Sequence, residues 1–213
     1  MNVERLNGLN YEEAQLHIEE IDHECVEKYN KRRLENSTYK LQVNMRPCPF
    51  EGDIKNSRVI LLLANPGYDD SSSINDHHRN VSYSEWPFFG LHDESPSGMR
   101  DWWRLRLDRL RQNLSVDWQF MSKNIAAIQM NPWASTKFDS SAKLASRDFM
   151  FEIARDCAKR DALFVVMRAR KHWDSALKGY EDNLIYTNSC RCSYLTEGNL
   201  RKEDWSRIIK SIS

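Results

Sequence analysis

The stretch Ser57-Arg-Val-Ile-Leu-Leu-Leu-Ala-Asn-Pro-Gly-Tyr68 decides the fold of this chain. It holds no polar residue between Val59 and Ala64, and an unbroken aliphatic run is typical of a strand buried on both faces of a parallel sheet. The next residues, Asn65-Pro66-Gly67, favour a turn. Because ligands of open α/β sheets bind outside the carboxyl ends of such strands, Asn65 is the first candidate for a functional residue.

Composition limits the class of protein. The chain has 213 residues, which suffice for one α/β domain with a full core. Its 31 basic residues balance 31 acidic ones, so no general polybasic surface for nucleic acid is expected, although a local basic groove stays open. No apolar run reaches membrane-spanning length, and the N-terminus lacks the apolar segment of a signal peptide. We therefore expect a cytoplasmic protein that does not bind membranes.

The cysteines do not form the pattern of a metal site. They are odd in number, and none is spaced as a C-x-x-C pair: Cys25, Cys48, Cys157, Cys190 and Cys192. Zinc and iron–sulfur sites commonly use that spacing. We therefore expect reduced thiols, no metal and no cofactor.

Four apolar segments predict strands, and helical patterns lie around them. The predicted strands are 59–64, 125–130, 162–167 and 183–187, and the predicted helices are 11–33, 99–113, 143–160 and 172–180. Strands that alternate with helices indicate a parallel sheet with helices on both faces. The predicted fold class is α/β, a three-layer sandwich around a central, mostly parallel, four-stranded sheet.

The chain is predicted to divide near residue 55. Residues 1–55 hold the first helix and a linker containing Pro47, Pro49 and Gly52, and we expect them to pack on the core as an N-terminal helical appendage. Residues 56–213 form the α/β domain. Within it, the connection 69–98 is unusually long, and loops of that size are commonly functional or disordered.

Two strand exits resemble the motifs of a known family. Leu63-Ala64-Asn65-Pro66-Gly67 resembles the Gly-Ile-Asn-Pro-Gly type first motif of the uracil-DNA glycosylase superfamily, in the branch that acts on mismatched uracil and thymine. Residues 193–199, after the fourth strand, occupy the place of the second motif without its prolines. The resemblance spans residues 57–205. It implies a monofunctional DNA glycosylase, which flips a pyrimidine and hydrolyses its N-glycosidic bond to leave an abasic site.

The long connection after the first motif departs from ordinary uracil-removing enzymes, whose tight pockets exclude a substituent on the base. The chain looks similar to the phage-sensing branch that removes glucosylated hydroxymethylcytosine from viral DNA. This resemblance implies a bulky modified pyrimidine as substrate, flipped from the stack into a pocket. The expected partner is DNA, double-stranded and of phage or damaged origin, and we expect a monomer.

The resemblance also implies catalytic roles. Bond cleavage leaves positive charge on the sugar and negative charge on the base, so the enzyme needs an acceptor that holds a water and donors aimed at the base. Asn65 is the implied water-positioning residue, although an amide cannot take a proton from that water. Asp69 and Asp70 are candidate bases, but paired aspartates in a loop are also typical of solvated or capping residues.

Three residues are candidates for binding the flipped base. Asn131, at the end of the second strand, matches the position where the family places a base-reading Asn, and its amide suits a pyrimidine edge. Asn131-Pro132 is equally typical of a plain turn. Tyr68 and Phe89 are candidates to stack on the base, although such aromatic residues more often belong to a core.

Candidate DNA contacts follow the third and fourth strands. The third strand leads into a basic cluster and the fourth into a polar loop, which together supply Arg168, Arg170, Lys171, Arg191, Ser193 and Asn199. The predicted helix 99–113 also carries five arginines interleaved with Trp102 and Trp103. These arginines fit either a phosphate track or a solvated helix face.

Two other functions are compatible with the same residues. One is a non-catalytic nucleic-acid-binding module on the same fold. The other is a metal-dependent nucleotide hydrolase in which Asp69, Asp70 and His77 act. His77 and His78 are also typical of a flexible loop.

Overall fold

The computed structural model of the protein describes residues 10–68, 83–189 and 192–213. Over these residues it contains six α-helices and five β-strands. The helices are α1 (Tyr11–Lys31), α2 (Ser97–Leu114), α3 (Trp118–Asn124), α4 (Ser146–Ala158), α5 (Arg170–Ala176) and α6 (Lys202–Ile212). The strands are β1 (Phe50–Glu51), β2 (Val59–Leu63), β3 (Ile125–Gln129), β4 (Leu163–Val166) and β5 (Leu184–Tyr186).

All five strands form one sheet in the order β1-β3-β2-β4-β5. Strands β2 to β5 are parallel, and β1 pairs antiparallel with β3, so the α/β class is confirmed. The prediction of four strands was wrong, because β1 is a two-residue strand inside the proline-containing linker and too short to show an alternating pattern. The carboxyl ends of the four parallel strands meet at one edge of the sheet.

Both faces of the sheet are covered by helices. Successive side chains of β2 point to opposite faces, and every residue of this strand is buried. Ile60 and Leu62 pack in one apolar cluster with residues of α1, α4 and α5. Leu61 and Leu63 pack in a second cluster with residues of α2, α3 and α6. This double burial explains why the strand has no polar residue.

Helix α1 is tied to the carboxyl edge by a buried carboxylate. Asp22 is fully buried in α1 and accepts hydrogen bonds from the indole N–H of Trp133 at 2.9 Å and the backbone N–H of Ser146 at 2.8 Å. These bonds link α1 to the segment after β3 and to the start of α4. The predicted boundary at residue 55 stays a prediction.

None of the helices in the described ranges combines the length and the apolar character that a membrane-spanning segment requires.

Candidate functional site

The segments after β2 and β3 are joined at the carboxyl edge. The backbone N–H of Asn131 donates to the carbonyl of Ala64 at 2.8 Å, and that of Ser135 donates to the carbonyl of Pro66 at 3.3 Å. A parallel bridge between Gly67 and Ser135 continues the pairing beyond the strands. The two turns therefore form one connected surface rather than two independent loops.

Asn65 is oriented by this surface. Its Nδ2 donates to the carbonyl of Pro66 at 2.8 Å, to Oγ of Ser135 at 2.9 Å and to the carbonyl of Ser135 at 3.3 Å. Three acceptors around one atom require the amide nitrogen at that position. The side-chain oxygen Oδ1 is consequently the atom left to accept a hydrogen bond from a ligand, and no described residue donates to it.

A cavity of about 280 Å³ lies beside Asn65, on the side of the sheet that α2 covers. Most of its wall is apolar or aromatic, and the polar atoms are few. The described residues that line it are Met45, Cys48, Glu51, Leu63, Asn65, Pro66, Gly67, Tyr68, Gly98, Met99, Trp102, Trp103 and Gln129. Apolar walls with a few convergent polar groups are typical of a small-molecule site.

Glu51 and Gln129 bring polar groups to this cavity from the sheet. Glu51 pairs with Ala127, two residues before Gln129, so the two side chains are diagonal neighbours on the face that also carries Leu63. Glu51 is 4% exposed and Gln129 is 5% exposed. Oε1 of Gln129 is buried and has no hydrogen-bond partner among the described residues. Such an atom costs about 1–3 kcal/mol unless a ligand or water donates to it.

The Glu51 carboxyl is held in its neutral form. Burial raises its pKa to about 8, outweighing the hydrogen bonds from Gly90, Cys48 and Phe89 that lower it. The backbone N–H of Gly90 donates to Oε2 at 3.3 Å, and Sγ of Cys48 lies 3.9 Å from Oε1. No arginine or lysine stands among the described residues that line the cavity. At pH 7 the carboxyl therefore offers both a donor and an acceptor.

Tyr68 lines the cavity, whereas Asn131 and Phe89 do not appear among its lining residues. Asn131 is 2% exposed, and its Oδ1 accepts a hydrogen bond from Nε of Arg147 at 3.1 Å. Strand β3 ends at Gln129 and the chain turns at Pro132, so the side chain of Asn131 meets the start of α4. Phe89 is buried, and its backbone, not its ring, bonds to Glu51.

The predicted basic cluster follows β4 at the carboxyl edge. The backbone N–H of Arg168 donates to the carbonyl of Leu62 at 3.2 Å. The guanidinium of Arg170 lies 4.0 Å from the ring centroid of Tyr186, and its Nε is 3.5 Å from the Asp174 carboxylate. Lys171 is exposed. The cluster therefore presents cationic groups beside the edge, partly engaged with neighbouring side chains.

Two other predicted DNA contacts are buried within the loop after β5. Nδ2 of Asn199 donates to the carbonyls of Cys192 at 2.7 Å and Tyr194 at 2.9 Å, so Asn199 shapes the loop. Ser193 is 1% exposed, and its Oγ has no partner among the described residues. The other four predicted residues, Asp69, Asp70, His77 and Arg191, lie outside the described residues, and their roles stay predictions.

Arg106 lies in α2, and the sequence identified it only as one of the five arginines of the predicted helix 99–113. Its guanidinium lies 3.7 Å from the ring centroid of Trp102 and 5.3 Å from that of Tyr194. Nη1 donates to the carbonyl of Trp102 at 2.8 Å, while Nε is buried with no partner among the described residues. Burial lowers the pKa of Arg106, and the charge of Arg168 lowers it further. An anion bound near Arg106 and Arg168 would be stabilised by both positive charges.

The sequence reasoning missed Glu51 and Gln129 as site residues. Gln129 is the one polar residue within the predicted strand 125–130, and a polar side chain in a buried strand is a recognisable signal. Glu51 gave no such signal, because it stands in a short linker between Pro49 and Gly52.

In the described ranges, no group of three or more His, Cys, Asp or Glu side chains is arranged to hold a metal ion. Comparisons with protein-family models, with curated proteins and with solved structures found no match to this chain. The fold and the site define an α/β protein with a ligand-sized cavity at the carboxyl edge of its parallel strands.

Proposed function

We propose that this protein is a DNA glycosylase, which hydrolyses the N-glycosidic bond of a pyrimidine nucleotide flipped out of DNA. The observation that carries the proposal is the position of Asn65 in the wall of a cavity that aromatic side chains also line. A flipped base needs flat walls for its ring and polar groups for its edge. Tyr68 and Trp102 supply such walls, and Gln129 supplies an unpartnered amide oxygen.

In the proposed reaction, Oδ1 of Asn65 accepts a hydrogen bond from the attacking water. Ser135 supports this role, because it engages the amide nitrogen and leaves the oxygen for the water. The sugar carbon becomes positive as the base departs, so a positioned water can add to it without first losing a proton. An amide suffices for this task, since the developing charge on the sugar makes the carbon reactive.

The proposal places DNA phosphates beside Arg106 and Arg168. Arg106 lies against Trp102, which lines the cavity, and against Tyr194 in the loop after β5. A phosphate near the two guanidinium groups would offset the burial of Arg106 and its repulsion by the charge of Arg168. The flipped base and its flanking phosphate would then lie on the two sides of Trp102.

The proposed substrate is a modified pyrimidine with a bulky substituent, such as the glucosylated hydroxymethylcytosine of phage DNA. Gly67 lines the cavity, and a Cβ placed on it meets no described atom within 4 Å. This open side of the cavity offers the substituent a way out. The proposal also takes the helices on the two faces of the sheet as the outer layers of a three-layer sandwich.

Alkali cleavage of treated DNA tests the proposal. The wild-type protein is incubated with duplexes that contain uracil, a mismatched thymine or glucosylated hydroxymethylcytosine, and abasic sites are then broken with alkali. We expect breakage at the modified base, slowed about 100-fold or more by Asn65→Ala. Asn36→Ala, in an exposed turn that does not line the cavity, is the matched control and keeps the wild-type rate.

Absence of breakage with all three duplexes contradicts the proposal. DNA binding without breakage would instead favour the non-catalytic module.

A further inference from the structure

We infer that Glu51 is the general acid of this site, and that its carboxyl protonates ring atom N3 of a cytosine-type base while Gln129 binds the exocyclic amine. The inference rests on the proposed function and narrows its substrate to pyrimidines whose N3 carries no proton.

The contacts of Glu51 leave its acidic proton without a strong acceptor. The described groups that approach its oxygens are the backbone N–H of Gly90, the backbone of Phe89 and the Sγ of Cys48. All three donate to the carboxyl oxygens, so none of them accepts its proton. An acceptor atom inside the cavity would complete the hydrogen bonding of the neutral carboxyl. The cavity therefore favours a ligand that presents a basic ring nitrogen to Glu51.

Cytosine fits these donors and acceptors better than uracil does. Its edge presents an amine donor beside the unprotonated N3, whereas N3 of uracil already carries a hydrogen. The acidic O–H of Glu51 matches N3, and the unpartnered Oε1 of Gln129 matches the amine. Both side chains lie on one face of the sheet and line the same cavity.

Protonation of the base by Glu51 makes the base a better leaving group. Asn65 cannot do this, because it only positions the attacking water. The bond between C1′ and N1 breaks, and its electron pair enters the pyrimidine ring. The proton of Glu51 moves to N3, so the base departs neutral. The oxygen of the water bonds to C1′, its surplus proton passes to solvent, and the Glu51 carboxylate regains a proton from solvent. The sum is a hydrolysis that needs no other reactant.

The titratable groups packed around Glu51 add no positive charge that would favour its ionised form. Cys48 precedes β1, Tyr11 lies in α1 and Tyr83 precedes α2, and burial is the main cause that raises the pKa of all three. All are neutral at pH 7 and face the carboxyl without supplying a positive charge. Burial raises the pKa of the Glu51 carboxyl to about 8, so the carboxyl is protonated and can act as an acid below about that pH.

Binding of the free bases tests the assignment without relying on catalysis. Calorimetry with free cytosine and free uracil is applied to the wild type, Glu51→Leu and Gln129→Leu. We expect the wild type to prefer cytosine, and each variant to bind it about tenfold more weakly, as the loss of one buried hydrogen bond implies. Glu27→Gln, an exposed partner of Lys31, is the control that binds as the wild type does. Unchanged cytosine affinity in Glu51→Leu, or no binding by the wild type, overturns the inference.

Single-turnover rates, measured from pH 5 to pH 9 on the duplex that the wild type cleaves, test the acid step. Glu51→Gln keeps the shape of the carboxyl but cannot give up a proton, so we expect an unchanged KM and a rate lowered about 100-fold or more. The wild-type rate falls above about pH 8, and that fall disappears in the variant. A variant within about threefold of the wild-type rate, or one that keeps the fall, contradicts the acid role. A wild type that binds cytosine through Glu51 yet cleaves no DNA overturns the glycosylase proposal instead.

Discussion

The buried Glu51 carboxyl makes the stability of the fold depend on pH. Burial raises its pKa from 4.5 in the unfolded reference to about 8 in the fold. The folded protein therefore holds a proton that the unfolded chain releases, and the free energy of unfolding falls as pH rises from 4.5 toward 8. Glu51→Gln removes this titration. We expect the variant to gain stability relative to the wild type as pH rises.

The size of the gain follows from the two pKa values. Each pH unit between them changes the free energy by about 1.36 kcal/mol, with a smaller change close to either value. Between pH 5 and pH 8 the difference between variant and wild type grows by about 3–4 kcal/mol. Comparing two pH values cancels the fixed effect of exchanging a carboxyl for an amide.

Urea denaturation at pH 5 and pH 8 measures this difference. A gain of about 3–4 kcal/mol moves the urea midpoint of Glu51→Gln by about 1–2 M more at pH 8 than at pH 5. Glu27→Gln, an exposed substitution, shows no such pH dependence. Equal shifts at the two pH values would refute the reasoning, because the carboxyl would then titrate alike in both states.

Three further predictions concern the cavity and its surroundings. Ser135→Ala removes one acceptor from the Asn65 amide but leaves two carbonyls, so the single-turnover rate falls about tenfold, less than with Asn65→Ala; an unchanged rate would contradict the orienting role. Gly67→Leu fills open space at the cavity wall, so cleavage of the glucosylated base falls about tenfold more than that of the smaller hydroxymethylated base. Equal losses of cleavage on the two bases would contradict the proposal that the substituent lies on the open side of the cavity. Arg106→Ala lowers the slope of log affinity against log salt concentration by about 0.9 in DNA binding, whereas Arg109→Ala, whose arginine pairs with Glu197, changes it less. The same slope in both variants would contradict a contact between Arg106 and a DNA phosphate.

The sequence predicted the parallel strands well because burial on both faces leaves a plain signal. The predicted strands 59–64 and 125–130 differ from β2 and β3 by one residue at the carboxyl end. Strand β1 and the seven-residue helix α3 were not predicted, since neither is long enough to show its period. The long helices α1, α2 and α4 carry several turns of apolar spacing, which made them recognisable.

The site was predictable only where it follows a strand directly. Asn65 stands at the end of an apolar run, so its place at the carboxyl edge could be inferred from the chain alone. The meeting of Glu51 with Gln129 depends on the antiparallel register of β1 with β3, which no local pattern specifies. The contact of Arg106 with Tyr194 joins α2 to the loop after β5 and likewise depends on tertiary packing.

Mass spectrometry of the products in ¹⁸O-labelled water tests the glycosylase proposal most directly. A duplex with one glucosylated hydroxymethylcytosine is treated with the wild type and with Asn65→Ala. The account predicts release of the free modified base by the wild type, one ¹⁸O atom on the abasic sugar, and little of either product from the variant. Label in a phosphate group, or no free base from the wild type, would contradict it.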